Sequence, residues 1–336
     1  RILSDCEGGM IKRRHLRSFA LRCTALAGLV VAGASGVQAA EGAAGFYLLG
    51  SKTSMAGFLP PPGTYVQHLN FFYSGSSNVS LDLGGVEVTG GVDANVYYKM
   101  PTLLWVSDKK VFGGNVALTA VTPIGWKDVS ANAEITGPGG GVFVPGPFED
   151  SGTHFGDPVV GGIIGWHQGN WHWNITTLVN VPIGYWKEGN LDNIGFNRWA
   201  FDTTGAVTWL DPTIGLELSV ASGFTYNVEN PDTDYKTGTE FHLEFAAVKN
   251  LSKELGIGFN GYLYQQVAGD SGSGARLGDF KGRTFAIGPV VNWNFLLGQI
   301  PVSTSFKYFR ELDVKNRLEG DAGFVSLTMP LSAGPR

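Results

Sequence analysis

The alternation that indicates the fold class is clearest in residues 198–209, RWAFDTTGAVTW. One parity of this stretch is apolar and contains Trp199, Phe201, Val207 and Trp209. The other parity is polar and contains Arg198, Asp202, Thr204 and Thr208. Because successive side chains of a strand point to opposite faces of a sheet, this stretch predicts a strand with one apolar and one polar face.

The same alternation recurs along the chain and helical periodicity is scarce. We count twelve segments, at about 64–75, 90–105, 112–127, 155–167, 171–186, 197–210, 213–228, 239–250, 254–268, 283–296, 300–311 and 319–330. Tight turns such as 108–110 and 168–170 alternate with longer polar or glycine-rich connections. An even strand number with alternating short and long connections is typical of outer-membrane barrels. The sequence therefore predicts an all-β protein, an antiparallel transmembrane β-barrel of about 12 strands (12 to 14).

Tryptophan positions support a membrane barrel. Six of the nine tryptophans lie near short turns and three lie near long connections, and none falls in the middle of a segment. Amphipathic indole rings favour the membrane–water interface, whereas the core of a soluble sandwich would hold them in mid-strand. We expect two aromatic girdles.

Residues 1–39 read as upstream residues followed by a cleaved signal peptide. Basic residues precede an apolar run over 25–34, and small residues lead to a predicted cut after Ala39. The run is too short for a membrane anchor. Both cysteines, Cys6 and Cys23, lie in this part. Without residues 1–39, which carry six of the 24 Lys and Arg and two of the 29 Asp and Glu, the net charge is 18 − 27 = −9, which argues against nucleic acid as a partner.

Residues 40–62 precede the predicted barrel, which we place at 63–331. This segment is too apolar for a free periplasmic tail, and exposed apolar surface of that extent usually has a partner. We predict that it enters the lumen as a short N-terminal plug. The plug residues are Phe46, Tyr47, Leu48 and Phe58. The alternative is a disordered remnant of export.

The residues at the polar positions of the predicted strands are candidates for the lumen and the substrate path. They are Asp93, Lys99, His172, Asn174, Arg198, Asp202, Glu217, His242, Glu244, Asn260, Tyr262, Tyr264 and Lys307. Charges of both signs can pair across a narrow lumen, where an unpaired charge would be costly. A structural role for each residue is the alternative to contact with a solute.

Two similar motifs contain proline at the outer end of a predicted strand. They are Thr122-Pro123-Ile124-Gly125-Trp126-Lys127 and Val181-Pro182-Ile183-Gly184-Tyr185-Trp186-Lys187. Because proline cannot donate to a strand ladder, we expect both motifs to mark the rim of the barrel.

No motif points to catalysis. Gly269-Asp270-Ser271-Gly272 resembles a protease nucleophile motif, but no matching histidine motif precedes it. His167 and His172 flank a turn without a third metal ligand. A membrane-embedded hydrolase using residues distant in sequence, such as Ser219, His242 and Asp202, stays open. We predict no enzyme activity, no cofactor and no metal.

Several blocks resemble the outer-membrane proteins named for the meta-cleavage pathway of phenol degradation. The blocks are Gly45-Phe46-Tyr47-Leu48-Leu49-Gly50, Leu59-Pro60-Pro61-Pro62-Gly63-Thr64-Tyr65, Phe72-Tyr73-Ser74-Gly75, Gly156-Asp157-Pro158 and Trp199-Ala200-Phe201-Asp202 with Trp209-Leu210. The resemblance implies an outer-membrane channel linked to uptake of aromatic or other hydrophobic carbon sources. It supplies no catalytic residues.

Pattern and resemblance together predict a cell outer membrane channel for passive uptake of small hydrophobic or aromatic compounds. The expected partners are outer-membrane lipid, a small hydrophobic solute and the outer-membrane assembly machinery, with no nucleic acid. The alternatives are the membrane-embedded hydrolase and a secreted β-sandwich adhesin.

Overall fold

The computed structural model describes residues 41, 44–78, 81–83, 85–136, 143–275, 278 and 281–333. The predicted signal peptide, residues 1–39, lies outside these residues. Sixteen strands occupy the described part of the chain: β1 Gly63–Ser77, β2 Leu81–Leu83, β3 Val86–Val111, β4 Gly114–Val121, β5 Ile124–Thr136, β6 Phe143–Pro145, β7 Phe148–Phe155, β8 Val159–Gln168, β9 Trp171–Asn180, β10 Ala200–Asp211, β11 Leu216–Asn227, β12 Glu240–Asn250, β13 Leu255–Gln266, β14 Arg283–Leu297, β15 Ile300–Lys315 and β16 Glu319–Ala333.

The strands close into one antiparallel barrel. From β8 to β16 each strand pairs with the next along the chain, β16 pairs with β1, and β1 pairs with β3. β4 and β5 pair with different parts of β3 and lie end to end, so together they occupy one strand position in the barrel wall. β7 and β8 lie end to end in the same way and occupy the next position. The wall therefore has twelve positions. The short strands β2 and β6 lie outside it, against β3 and β5.

This architecture confirms the predicted fold class. The twelve predicted segments correspond to the twelve wall positions, but their bounds differ in places, and the predicted tight turn at 108–110 is wrong because β3 continues to Val111. The segments at 112–127 and 155–167 are each interrupted, at 122–123 and at 156–158, and the segment at 171–186 ends at Asn180. Prolines at 123, 158 and 182 account for the two interruptions and the early end, because proline has no N–H for the ladder. The first proline motif lies within the wall and not at the predicted rim, since β5 continues beyond it to Thr136. The β-sandwich alternative is wrong, since the sheet closes on itself.

The two faces of the wall carry different residues. On β12 the side chains of Glu240, His242 and Glu244 are buried, while those of Phe241 and Leu243 are partly exposed on the outer face. Exposed tryptophans lie near both ends of the wall: Trp105, Trp171 and Trp293 near the short turns, and Trp126 and Trp199 near the long loops. An apolar exterior with aromatic residues at both interfaces suits a lipid bilayer. Among the described residues, no helix is long and apolar enough to cross a membrane.

Candidate functional site: the plugged lumen

Residues 44–62 run through the lumen from the long-loop end to the short-turn end. At the long-loop end, the nearby carboxylate of Glu41 accepts a hydrogen bond from Arg198 Nη1 at 3.1 Å. Near the middle, Gly50 contacts the β12 wall, and at the short-turn end Phe58 packs against His172 with ring centroids 5.1 Å apart. The segment therefore spans the channel lengthwise rather than covering one mouth.

Two buried carboxylates of the wall bind the backbone of this plug, residues 44–62. Glu244 Oε1 accepts from the Gly50 N–H at 2.8 Å, and Glu244 Oε2 accepts from the Lys52 N–H at 2.7 Å. Glu217 Oε1 accepts from the Met55 N–H at 2.6 Å and from Ser54 Oγ at 3.0 Å. Hydrogen bonds to ionised acceptors are about twice as strong as neutral ones. The two acids hold successive parts of the plug.

Two lysines add further hydrogen bonds between the plug and the wall, one lysine on the wall and one on the plug. Lys307 Nζ on β15 donates to the Gly50 and Ser51 carbonyl oxygens, both at 3.0 Å. Lys52 Nζ on the plug donates to Asn174 Oδ1 at 2.9 Å and to Thr176 Oγ1 at 2.7 Å. Burial lowers the pKa of Lys52 to about 8, against the attraction of nearby Glu244 and Asp202.

Aromatic stacking and one close backbone approach fix the rest of the plug. Tyr47 stacks on His242 with ring centroids 3.6 Å apart, and His242 Nε2 lies 2.9 Å from Asp202 Oδ2. The Gly57 N–H donates to Thr208 Oγ1 at 2.9 Å. A Cβ at Gly57 would lie 2.5 Å from the Thr208 backbone nitrogen, so only glycine permits this approach.

The opposite inner wall is largely apolar, with Gln67 and Thr102 as polar exceptions. On β1 and β3, the inward parity carries Leu69, Phe71, Val96, Tyr98 and Met100. A cavity of about 2290 Å³ lies between these side chains and the plug, and it reaches from the long-loop residue Leu318 to the short-turn residue Leu251. The plug therefore leaves part of the lumen unfilled along its length.

The structure places eleven of the thirteen predicted lumen residues inside the barrel, in two environments. Arg198, Glu217, Tyr262 and Lys307 line the cavity. A second group is buried or half-buried along the polar wall and its contacts with the plug: His172, Asn174, Asp202, His242, Glu244, Asn260 and Tyr264. Of the predicted plug residues, Phe46, Tyr47, Leu48 and Phe58 all border the cavity.

Asp93 and Lys99 require a correction. Both are exposed, and they alternate with Ala94, Val96, Tyr98 and Met100, which face the cavity. They therefore lie on the outer face of β3. On this strand the apolar residues face the lumen, where they form part of the apolar wall, and the polar residues that alternate with them face outward.

The residues of the hydrolase alternative do not meet. Asp202 and His242 are hydrogen-bonded, but Ser219 Oγ instead contacts Thr208 Oγ1 and Glu217 Oε1, both at 2.8 Å. His242 is only 1% exposed and is covered by Tyr47. Ser219 therefore belongs to one buried hydrogen-bond cluster of the polar wall, and Asp202 with His242 belongs to another.

The alternation of polar and apolar residues did not identify the apolar inner wall or one buried acid. The apolar wall was missed because inward positions were equated with polar residues, although Leu69, Phe71 and Tyr73 alternate clearly enough to show a second apolar face. Asp157 is 3% exposed and accepts three hydrogen bonds in the wall. Its place between Gly156 and Pro158, in a motif that breaks a strand, was the available signal.

The closed wall, its apolar exterior and its plugged lumen define an outer-membrane β-barrel. The chain belongs to the family described as "Putative MetA-pathway of phenol degradation", which matches residues 76–327. It is similar to an outer membrane channel from Pseudomonas putida F1, with a TM-score of 0.62 and 12% identity over 84% of this chain and 99% of that chain. A FadL homologue of Pseudomonas aeruginosa matches with a TM-score of 0.41 and 8% identity over 80% of this chain and 90% of that chain. No curated protein matches the chain. At 12% identity, the similarity to the Pseudomonas putida channel shows the fold alone.

Proposed function

We propose that this barrel is an outer-membrane channel for passive uptake of small hydrophobic or aromatic compounds. The supporting observation is the division of the lumen. The plug binds much of the polar wall, and the opposite side of the cavity is lined by Leu69, Phe71, Val96 and Met100. Family membership and the fold of the Pseudomonas putida channel agree with this proposal.

The energetics favour an apolar solute over a polar one. Burying apolar surface yields roughly 25 cal/mol per Å², so a small aromatic molecule gains from contact with this wall. A polar solute would lose hydrogen bonds to water, and many polar side chains of the facing wall are already bonded to the plug or to each other. Entry down a gradient then needs no energy source.

The test is uptake of N-phenyl-1-naphthylamine, an apolar aromatic dye that fluoresces once it reaches lipid. Gram-negative cells expressing the full chain should take up the dye faster than cells with an empty vector. A rate equal to that of the empty vector would contradict the proposal. Folded-barrel content in outer-membrane fractions serves to normalise the rates.

One variant pair tests the apolar wall itself. Leu69→Gln keeps a similar volume but places an amide in the path, and we expect it to slow dye uptake several-fold because the amide must lose water or stay unpaired. Leu69→Met keeps the site apolar and should retain the wild-type rate. Equal rates for the two variants would show that the dye does not pass along this wall.

A further inference from the structure

Arg317 lies where two cavities of the barrel meet. Beside the lumenal cavity of about 2290 Å³, a second cavity of about 680 Å³ lies among the long-loop ends of β1, β3, β15 and β16. Of the described residues, only Arg317 and Ala94 line both cavities. Because the alanine side chain has no polar group, a solute that crosses from the second cavity into the lumen meets the Arg317 guanidinium.

This guanidinium has no hydrogen-bond partner among the described residues. Its Nη1 is buried and unpaired. Packing holds it instead, since its central carbon lies 4.3 Å from the centroid of the Tyr264 ring. Such a cation–π contact stabilises the charge but uses none of the N–H groups of the arginine. The hydrogen-bond donors of Arg317 are therefore left for a bound molecule.

Two carboxylates act on the charge of Arg317 without accepting a hydrogen bond from it. They belong to Glu311 and Glu240. Glu311 accepts from the hydroxyl groups of Tyr73 and Tyr262, both at 3.0 Å, and Glu240 accepts from two other side chains. Since two acids lie beside one guanidinium, the junction of the cavities has no excess of positive charge, and an uncharged acceptor suits it better than an anion.

We propose that Arg317 selects apolar solutes that carry one uncharged oxygen acceptor, such as the carbonyl oxygen of an aromatic ketone or ester. This inference rests on the proposed function, because it concerns the solute of the same channel. A solute that enters the junction displaces water from the guanidinium, and leaving buried donors unpaired is costly. A carbonyl oxygen replaces the lost bond while the ring contacts the apolar wall. A plain hydrocarbon offers no such replacement.

Three naphthalene dyes that fluoresce in an apolar environment test this selection. Prodan carries a ketone, N-phenyl-1-naphthylamine carries no oxygen, and 1-anilinonaphthalene-8-sulfonate is the second dye with an anionic sulfonate added. Uptake is measured in Gram-negative cells that express the full chain. The rate of the empty vector is subtracted, and folded-barrel content normalises the rest. We expect the wild type to take up the sulfonate dye most slowly.

The variant Arg317→Met keeps a long side chain against Tyr264 but has no donor. We expect it to lower the Prodan rate roughly threefold to tenfold and to change the N-phenyl-1-naphthylamine rate by less than about twofold. The matched control is Arg310→Met, because Arg310 is exposed and already bonded to Asp321 at 3.0 Å. This control should leave both rates unchanged.

An unchanged Prodan rate in Arg317→Met overturns the selection. So does an equal loss of both uncharged dyes, which would show that Arg317 only supports the structure of the junction. A sulfonate dye that the wild type takes up faster than Prodan would show an anion site and would also contradict the proposal.

A second measurement needs no variant and covers poor assembly of Arg317→Met. Acetophenone and α-methylstyrene have the same shape, but a methylene group replaces the carbonyl oxygen in α-methylstyrene. At equal concentration, acetophenone should slow Prodan uptake by the wild type more strongly, although the hydrocarbon is the more apolar competitor. Equal or weaker inhibition by acetophenone contradicts recognition of the oxygen. If the wild type takes up neither uncharged dye faster than the empty vector, the proposed function fails, which is a distinct result.

Discussion

The two inner walls of this barrel differ in what covers them. The wall from β10 to β13 buries acids such as Glu217 and Glu244, and the plug bonds to them. The wall formed by β1 and β3 presents Leu69, Phe71 and Met100 to an open cavity. Buried charged groups are stable only with partners, whereas apolar side chains need none. The plug therefore belongs to the polar wall, and the space beside it is the path that we propose for an apolar solute.

The largest expected effect follows from adding a side-chain carbon where the plug backbone approaches the polar wall closely. Gly57→Ala should displace the plug, because its Cβ would lie 2.5 Å from the Thr208 nitrogen. Overpacking of this kind costs about 1–3 kcal/mol, so the released state should become roughly 5 to 150 times more populated. Single-channel recordings should show longer or more frequent high-conductance openings.

The matched control is Gly205→Ala, because a Cβ at Gly205 would have no neighbour within 4 Å. This variant should conduct like the wild type. If Gly57→Ala also conducts like the wild type, the plug is not held by its approach to the wall as described.

A smaller effect should appear as a pH dependence of plug docking. The pKa of Lys52 is about 8 when docked, against an ordinary value of 10.5 once released. Between these values the released state binds more protons, so docking should strengthen as the pH rises, by at most about 1.4 kcal/mol per pH unit. Closed dwell times should lengthen between pH 7.5 and 9.5.

Lys52→Met isolates this contribution. Other ionisable groups of the lumen remain in the variant, so the difference in slope between the two proteins reports Lys52 together with its interaction with Glu244 and Asp202. Because the variant has no amine to deprotonate, its closed dwell times should rise less steeply with pH. Equal slopes would contradict a lowered pKa as the cause.

The smallest expected effect is that of a substitution on the outer face of β3. Lys99→Gln should leave conductance and dye uptake within about twofold of the wild type, because this side chain does not reach the lumen. Lys307→Gln is the inward counterpart and should loosen the plug, since Lys307 Nζ donates to Gly50 and Ser51 carbonyl oxygens. A lumenal effect of Lys99→Gln that matches that of Lys307→Gln would contradict the assignment of faces.

Most of the fold was predictable from local pattern. Strands β10 to β13 alternate strictly, so their bounds and faces followed from the sequence. On β3 the same rule misassigned Asp93 and Lys99, because alternation identifies two faces but does not say which one is inside. The candidate site was predictable in part: its polar side chains and plug residues were found, and its apolar wall was not.

The sequence by itself determined a strand-rich barrel of twelve wall positions with an apolar segment before it, because side-chain periodicity and turn residues act over a few neighbours. Tertiary structure alone decided which wall the plug contacts, where the cavity remains and how Asp157 ties the segment after β9 to the wall. These depend on contacts between residues far apart in the chain, such as Gly50 with Glu244. No local pattern encodes such pairs, since their partners are set only when the sheet closes.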